Sequence, residues 1–231
     1  LIGHRLLHGQ IRARDAATEW SDLADICLMQ MSRLAELETE RRYGDAPGTW
    51  AVVGLGKLGG REMTAGSDLD ILVIYDPQDH EDAQVWFTRF TQRLITALSA
   101  ETAEGHLYET DMRLRPSGRA GPVATSLTSF ERYHQNEAWT WEHMALTRLR
   151  VLAGDETLGR IIESLAEAAI NSDQSASRTK DILDMRERLD RDKPAAGPWD
   201  LKMRKGGLGD LEFIVQHAIL TAKPHQALLP N

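Results

Sequence analysis

The amino-acid sequence predicts an α+β fold, in which a small mixed sheet with helices is followed by a mostly helical part. Two short, continuous apolar runs, Trp50–Gly54 and Ile71–Tyr75, have the length and composition of buried strands. Helical periodicity precedes the first run and dominates again after Pro122. Strands followed by a run of helices are typical of α+β proteins.

The elements that build the predicted sheet come first in the chain. Residues 16–42 predict an amphipathic helix, because apolar side chains recur there at helical spacing, namely Trp20, Leu23, Ile26, Cys27, Met31 and Leu34. A glycine and proline cluster at 44–48 ends that helix. The two apolar strands follow, then a helix over 82–99 with its aromatic side chains on one side. Residues 106–115 alternate like a third strand, which Pro116-Ser117-Gly118 terminates.

The remaining chain is predicted to be mostly helical. We expect helices over residues 126–135, 139–153, 157–170, 178–190 and 210–221, and one short strand over 199–204. The proline-rich stretch 193–198 reads as a linker. The sequence thus predicts a helical lead-in at 1–45, a catalytic core at 46–125, and a mostly helical part at 126–231. We expect this last part to continue into a further carboxy-terminal domain, because the chain reads as a segment of a longer protein.

Composition excludes several classes of function. The 231 residues carry a formal charge of -8, which argues against broad nucleic-acid binding. No stretch approaches the ~20 continuous apolar residues of a membrane span, so we expect no membrane partner. A single cysteine, Cys27, cannot form an internal disulfide or a cysteine-rich zinc site, and a reducing cytoplasmic location fits it best.

The glycine-rich segment Gly54–Gly59 has four candidate interpretations. It matches the G-x-G-x-x-G dinucleotide fingerprint, but the connection to the next strand is too short for a crossover helix. It is not a Walker A loop, because Leu58 follows Lys57 where that loop needs Ser or Thr. A simple tight turn remains open. The fourth interpretation depends on the residues that follow.

Asp68 and Asp70 flank Leu69 at the start of the second strand. Residues i and i+2 of a strand face the same side, about 6–7 Å apart. Two carboxylates so close repel each other unless a cation lies between them, and Mg²⁺ prefers carboxylate, water and phosphate oxygens. Two solvent-facing aspartates at the start of a strand remain the alternative.

The predicted third strand adds charged groups of both signs. On an extended strand Glu109, Asp111, Arg113 and Arg115 would share one face. Asp111 could complete a three-carboxylate site for two metal ions, and the two arginines could neutralise phosphate charge. An ordinary amphipathic strand with internal ion pairs is the alternative.

The spacing of these residues resembles that of known nucleotidyltransferases. Gly56, eleven further residues and then Asp68-Leu69-Asp70 resemble the G-x11-D-x-D pattern of the polymerase-β-like superfamily. Four longer motifs together resemble the glutamine synthetase adenylyltransferase family; they are the segments 54–62, 66–70, 111–118 and 205–214. The resemblance covers about Trp50 to Leu220 and implies a polymerase-β-like nucleotidyltransferase fold.

The resemblance implies a set of site residues and ligands. Asp68, Asp70 and Asp111 would be catalytic and would bind Mg²⁺, with Mn²⁺ as an alternative, while ATP is the substrate. The nucleotide and phosphate groups would contact Gly56, Lys57, Gly66, Ser67, Arg113 and Arg115. The implied reaction transfers AMP to a tyrosine of glutamine synthetase and so regulates nitrogen metabolism. PII signal proteins and glutamine would regulate the full-length enzyme.

Proteins of this family carry a second, related domain that removes AMP by phosphorolysis. Residues 134–143 and Ser117 resemble the adenylylating half, so we favour transfer over removal. Two rival functions lie outside this family: a nucleotidyltransferase acting on a small alcohol or antibiotic, and a regulatory module that only binds nucleotide.

Several polar residues after the core have two readings each. On one helical face, Trp139, Glu142 and His143 either line the site or pack the helix. Asp210 and Glu212 either shape the site, or Asp210 caps the last helix. Arg148 and Arg150 are expected on a solvated helix face.

Overall fold

The structure, a computed structural model, describes residues 1–78, 82–172 and 175–222. The chain forms two compact units. Unit 1 contains Leu1–Tyr133 and Arg148–Ser164; unit 2 contains His134–Thr147 and the chain from Leu165 onward. The end of the predicted helical part, 223–231, lies outside the described residues.

The secondary structure alternates short strands with helices of very different length. In chain order the elements are α1 (Ile2–Leu7), α2 (Ala13–Tyr43), β1 (Thr49–Gly54), α3 (Gly56–Gly59), β2 (Leu69–Asp76), α4 (Ala83–Ser99), β3 (Thr110–Asp111), β4 (Ala124–Ser126), α5 (Leu127–Asn136), α6 (Thr140–Leu146), β5 (Arg150–Gly154), α7 (Glu156–Ile170), α8 (Ser175–Asp192) and α9 (Leu208–Thr221). A small mixed sheet with many helices confirms the predicted fold class.

The sheet has the order β3-β2-β1-β5, and β4 also pairs with β2. Strand β1 runs antiparallel to both β2 and β5. Strands β3 and β4 run parallel to β2 at its two ends, β3 beside Leu69 and Asp70 and β4 beside Val73 to Tyr75. The sheet is therefore mixed, and β2 lies at its centre.

One face of the sheet packs on α2 and α4. Alternate side chains of β1 and β2, such as Val52 and Val73, enter a core with the aromatic residues of α4. Phe87 and Phe90 are fully buried there. Because strand side chains alternate, Asp70 belongs to the opposite face.

Helix α2 is present as predicted, but its buried face differs from the predicted one. Small residues face the core, including Ala24 and Ser32, whereas Leu23, Ile26 and Leu34 are about half exposed. The buried hydroxyls of Ser21 and Thr39 donate to carbonyls one turn earlier, so they can be buried without a partner from the sheet. Small side chains let the helix approach its neighbours closely, and apolar periodicity alone does not identify such a face.

Three predicted elements are wrong. The predicted helix over 139–153 ends at Leu146, and residues 150–154 form β5 instead, because Val151 and Arg150 pair with Val53 and Gly54 of β1.

The predicted strand over 199–204 is a series of turns. The Asp200 carboxylate accepts the backbone N–H groups of Ala196, Lys202 and Met203, which curls the chain.

The third wrong element is the predicted strand over 106–115. Only Thr110 and Asp111 belong to β3, and the chain turns directly after them. The residues that cause this turn belong to the candidate site and are described below.

Unit 2 is organised around a buried arginine. Arg178 of α8 donates to the carbonyl oxygens of Ile170, Leu220 and Ala169 and to the Ser172 hydroxyl, at 2.7–3.2 Å. Met144, Ile182 and Leu220 form an apolar cluster in the same unit. The guanidinium thus ties the ends of α7 and α9 to α8. In the described part of the chain, no helix has the length and apolar character needed to cross a membrane.

Candidate active site

Two of the predicted carboxylates are brought together by the pairing of β2 with β3. Asp70 and Asp111 are direct partners in the parallel register, beside Leu69 and Thr110. Directly paired residues on parallel strands point to the same face, so the two carboxylates lie side by side. The Leu69 N–H donates to the Glu109 carbonyl at 2.9 Å and continues the ladder towards Asp68.

The glycine turn lies against one of these carboxylates. Gly56 has a φ of +53°, and a Cβ built on it would lie 2.2 Å from Asp70 Oδ2. The Leu55 N–H also donates to the Asp70 carbonyl oxygen at 2.9 Å. The structure therefore places the turn and the carboxylate motif in direct contact, and it does so only because position 56 has no side chain.

The turn after β3 is formed by Asp111 itself. Its Oδ1 accepts the Arg113 backbone N–H at 2.8 Å, and its Oδ2 accepts the Arg113 Nε–H at 2.6 Å. This local bond competes with strand extension, which explains why the predicted strand ends here. Arg113 and Arg115 consequently do not continue one strand face with Asp111.

The ion pair with Arg113 also determines the charge of Asp111. The Asp111 side chain is 12% exposed. Burial opposes its ionisation, but the hydrogen bonds and charge of Arg113 outweigh burial and hold the Asp111 pKa below its ordinary value. Asp111 is therefore a carboxylate at neutral pH. The Arg113 pKa is raised, first by Asp111 and then, more weakly, by Asp68 and Asp70.

A cleft of about 470 Å³ contains Asp68, Glu109, Thr110, Asp111, Met112, Arg113, Arg115 and Arg119. Arg115 donates from its three guanidinium nitrogens to the carbonyl oxygens of Gly121, Met112 and Arg119. These bonds hold the loop 112–121 in place and still leave N–H groups of Arg115 for another acceptor. Negative and positive side chains thus share one open cleft.

The other predicted phosphate ligands lie in two turns. Lys57 is exposed on α3, one residue from Gly56, and Gly66 is exposed as well. Ser67 is buried, and its hydroxyl accepts the Thr64 N–H at 3.0 Å. Ser67 therefore closes the turn 64–67 ahead of Asp68.

The donor set of the site suits a divalent cation. Asp68, Asp70 and Asp111 offer carboxylate oxygens, which are the ligands that Mg²⁺ and Mn²⁺ accept. In their present side-chain positions, the described residues form no closed cluster of three acidic, histidine or cysteine ligands. Both carboxylate oxygens of Asp111 accept bonds from Arg113. A cation and Arg113 would compete for this carboxylate.

The residues that hold the other side of the glycine turn were not predicted from the sequence. Arg150 donates to the carbonyl oxygens of Leu58 at 2.9 Å and Gly59 at 3.2 Å. It also forms two hydrogen bonds with the Asp25 carboxylate, at 2.8 and 2.9 Å. Arg148 pairs with Glu62. The expectation that Arg148 and Arg150 face solvent on a helix is wrong, because Arg148 lies in the turn before β5 and Arg150 is the first residue of that strand.

Within unit 2, the residues of uncertain role make structural contacts. Glu142 accepts the Trp139 N–H at 2.9 Å and closes the first turn of α6. His143 is buried and donates from Nε2 to the His134 carbonyl oxygen at 3.1 Å, and burial lowers its pKa. Asp210, in the first turn of α9, accepts the Gly206 N–H at 2.6 Å and pairs with Arg186. Each contact lies within unit 2.

Comparison with known proteins gives consistent matches. The family model described as glutamate-ammonia ligase adenylyltransferase matches residues 1–164. A bifunctional glutamine synthetase adenylyltransferase/adenylyl-removing enzyme from Agrobacterium fabrum is 47% identical over 95% of this chain. Proteins of the same name from Mesorhizobium japonicum and Rhizobium meliloti are 46% and 47% identical over 96% of it. The chain spans 23–24% of the length of these relatives.

Proposed function

This chain belongs to the glutamate-ammonia ligase adenylyltransferase family, and on that premise we propose that it transfers AMP from ATP to a tyrosine of glutamine synthetase. The observation that carries this proposal is the junction of β2, β3 and the glycine turn. Asp70 is paired with Asp111 and touches Gly56, and Asp68 lies in the adjoining cleft. A nucleotidyltransferase needs carboxylates and a phosphate-binding turn at one place.

In the proposed reaction, the tyrosine hydroxyl oxygen attacks the α-phosphorus of ATP in line. The new tyrosyl O–P bond forms as the bond to the β-phosphate oxygen breaks, and pyrophosphate leaves. Asp68, Asp70 and Asp111 would hold Mg²⁺ or Mn²⁺, which supplies positive charge at the phosphates and lowers the pKa of the attacking hydroxyl.

Residues of the cleft and of the nearby turns would bind the phosphates and take up the proton. Arg113 and Arg115 would bind phosphate oxygens, since guanidinium groups match their geometry. Gly56 and Lys57 would approach the phosphates from the turn, with Gly66 and Ser67 beside them. Asp111 would take the hydroxyl proton. The Arg113 ion pair holds the Asp111 pKa below its ordinary value, so movement of Arg113 from Asp111 towards the phosphates would make Asp111 a stronger base.

The same site would also suit the removal of AMP from glutamine synthetase. The relatives are named for both adenylyl transfer and adenylyl removal, and removal would use phosphate to release AMP as ADP. We favour transfer because residues 134–143 and Ser117 resemble the adenylylating half of the family. For the longer protein, we infer that a PII signal protein shifts the balance between the two activities.

Intact-protein mass spectrometry of glutamine synthetase tests the proposal. The chain, unmodified synthetase, ATP and Mg²⁺ should yield a synthetase heavier by one AMP per modified subunit. A variant carrying Asp68→Asn and Asp70→Asn is the control and should yield no gain. Loss of AMP from adenylylated synthetase with phosphate, and no gain with ATP, would replace transfer by removal. ATP binding without either reaction would indicate a regulatory module.

A further inference from the structure

The glycine turn is held from two directions. On one side Gly56 contacts the Asp70 carboxylate. On the other side the Arg150 guanidinium binds the carbonyl oxygens of Leu58 and Gly59, where the single turn of α3 ends. The chain at position 148 also touches the turn, since a Cβ on Gly59 would lie 1.8 Å from the Arg148 carbonyl oxygen. The turn therefore fits closely between β2 and the start of β5.

Arg150 is itself held by α2. Both oxygens of Asp25 accept hydrogen bonds from it, and the two side chains are only about one-quarter exposed. Arg61, which follows the turn, also pairs with Asp25 at 3.4 Å and with Asp22. A two-point guanidinium–carboxylate bond fixes orientation as well as distance. Asp25 thus orients Arg150, and Arg150 orients the turn.

We propose that the Asp25–Arg150 pair is a positioning device for the nucleotide, which keeps the turn at the distance from Asp70 that ATP phosphates require. This inference rests on the proposed function, since it gives the pair a role in binding ATP. The planar guanidinium of Arg150 donates to both Asp25 oxygens and to two carbonyl oxygens. A lysine at position 150 would keep the charge and lose most of this geometry.

Hydrogen exchange and ATP affinity in the full chain test the proposal together. The backbone N–H groups of Gly59, Gly60 and Glu62 are hydrogen-bonded within the turn, and their exchange reports its opening. In Arg150→Lys these groups should exchange faster. ATP should bind roughly tenfold more weakly, which corresponds to about 1.4 kcal/mol. Asp25→Asn, which loosens the pair from its other side, should give the same two changes.

A matched control is available on the same helix. Arg42 of α2 pairs with Glu38 at 2.7 Å on the exposed surface, so Arg42→Lys should leave both quantities unchanged. The proposal is overturned if Arg150→Lys binds ATP as the wild type does, whether or not exchange in the turn accelerates. It is also overturned if affinity falls without faster exchange. A wild-type chain that binds no ATP would instead refute the proposed function, while the exchange measurement would still show whether Arg150 holds the turn.

Discussion

Replacing Gly56 by alanine should lower stability through backbone strain and lower activity through damage to the candidate site. The two effects can be measured separately. Position 56 has a φ of +53°, and the new Cβ would lie 2.2 Å from Asp70 Oδ2. A left-handed conformation costs a residue with a side chain about 1–2 kcal/mol. We expect the collision to add little to that, because a rotation of the Asp70 side chain would relieve it. The rotation, however, moves a proposed metal ligand away from Asp111.

Gly9→Ala is the matched control. Gly9 has a φ of +66°, and a Cβ there would meet no atom within 4 Å. Both variants should lose about 1–2 kcal/mol of unfolding free energy, measured by urea denaturation. AMP transfer to glutamine synthetase should fall roughly a hundredfold or more in Gly56→Ala, in line with misplaced catalytic groups. Gly9→Ala should keep wild-type transfer.

Two results would refute this reasoning. Wild-type transfer by Gly56→Ala would mean that the contact with Asp70 is irrelevant to catalysis. A stability loss in Gly56→Ala several kcal/mol above that in Gly9→Ala would mean that the carboxylate cannot rotate away. The second result would attribute any loss of activity to the fold.

Three further predictions concern single side chains. Asp111→Asn should lower AMP transfer roughly a hundredfold or more with an intact fold, measured by mass spectrometry and thermal unfolding. In His134→Gln, the fall in unfolding free energy between pH 7 and pH 5 should be about 2 kcal/mol smaller than in the wild type. The reason is that burial lowers the His134 pKa to about 3, so that only the unfolded chain takes up a proton at this histidine. Arg178→Met should cost roughly 3 kcal/mol of unfolding free energy, since it removes the guanidinium that donates to the Leu220 and Ile170 carbonyl oxygens.

Each of these three predictions has a control with the same type of side chain. Asp76→Asn changes a carboxylate at the far end of β2 and should keep transfer. His8→Gln changes an exposed histidine and is the control for the substitution itself. Arg191→Met, at the exposed end of α8, should cost little. An Asp111→Asn variant with full transfer, a His134→Gln variant with an unchanged pH slope, or a tolerated Arg178→Met would each contradict its prediction.

Local sequence patterns were sufficient to predict much of the sheet. Strands β1 and β2 are continuous apolar runs, and the spacing from Gly56 to Asp68 predicted a turn next to the carboxylates. Asp111 was likewise expected beside Asp70, and the parallel register brings them together. The end of β3 was not foreseen, because the Asp111 side chain forms a turn by bonding its own backbone.

Contacts between residues that are distant in the sequence could not be predicted from local patterns. Arg150 binds Gly59, 91 positions earlier, and Asp25, 125 positions earlier. The residues around Arg150 have the sequence pattern of a continuing helix, and they form a strand only because they pair with β1. The buried face of α2 was predicted wrongly for a different reason. Alanine and serine pack closely there, and several of the more hydrophobic positions, such as Leu23 and Ile26, are about half exposed.

The late position of β5 in the chain has a consequence for synthesis on the ribosome. Unit 1 begins at Leu1 but is completed only by Arg148–Ser164, after the chain has passed through part of unit 2. Until β5 emerges, β1 has a free edge, Asp25 lacks Arg150, and the glycine turn is held from one side only. Growing chains usually fold their domains in order as these emerge. Here the first unit cannot finish before the second has begun, so nascent chains that stop near residue 147 should expose an unpaired strand and be prone to aggregation.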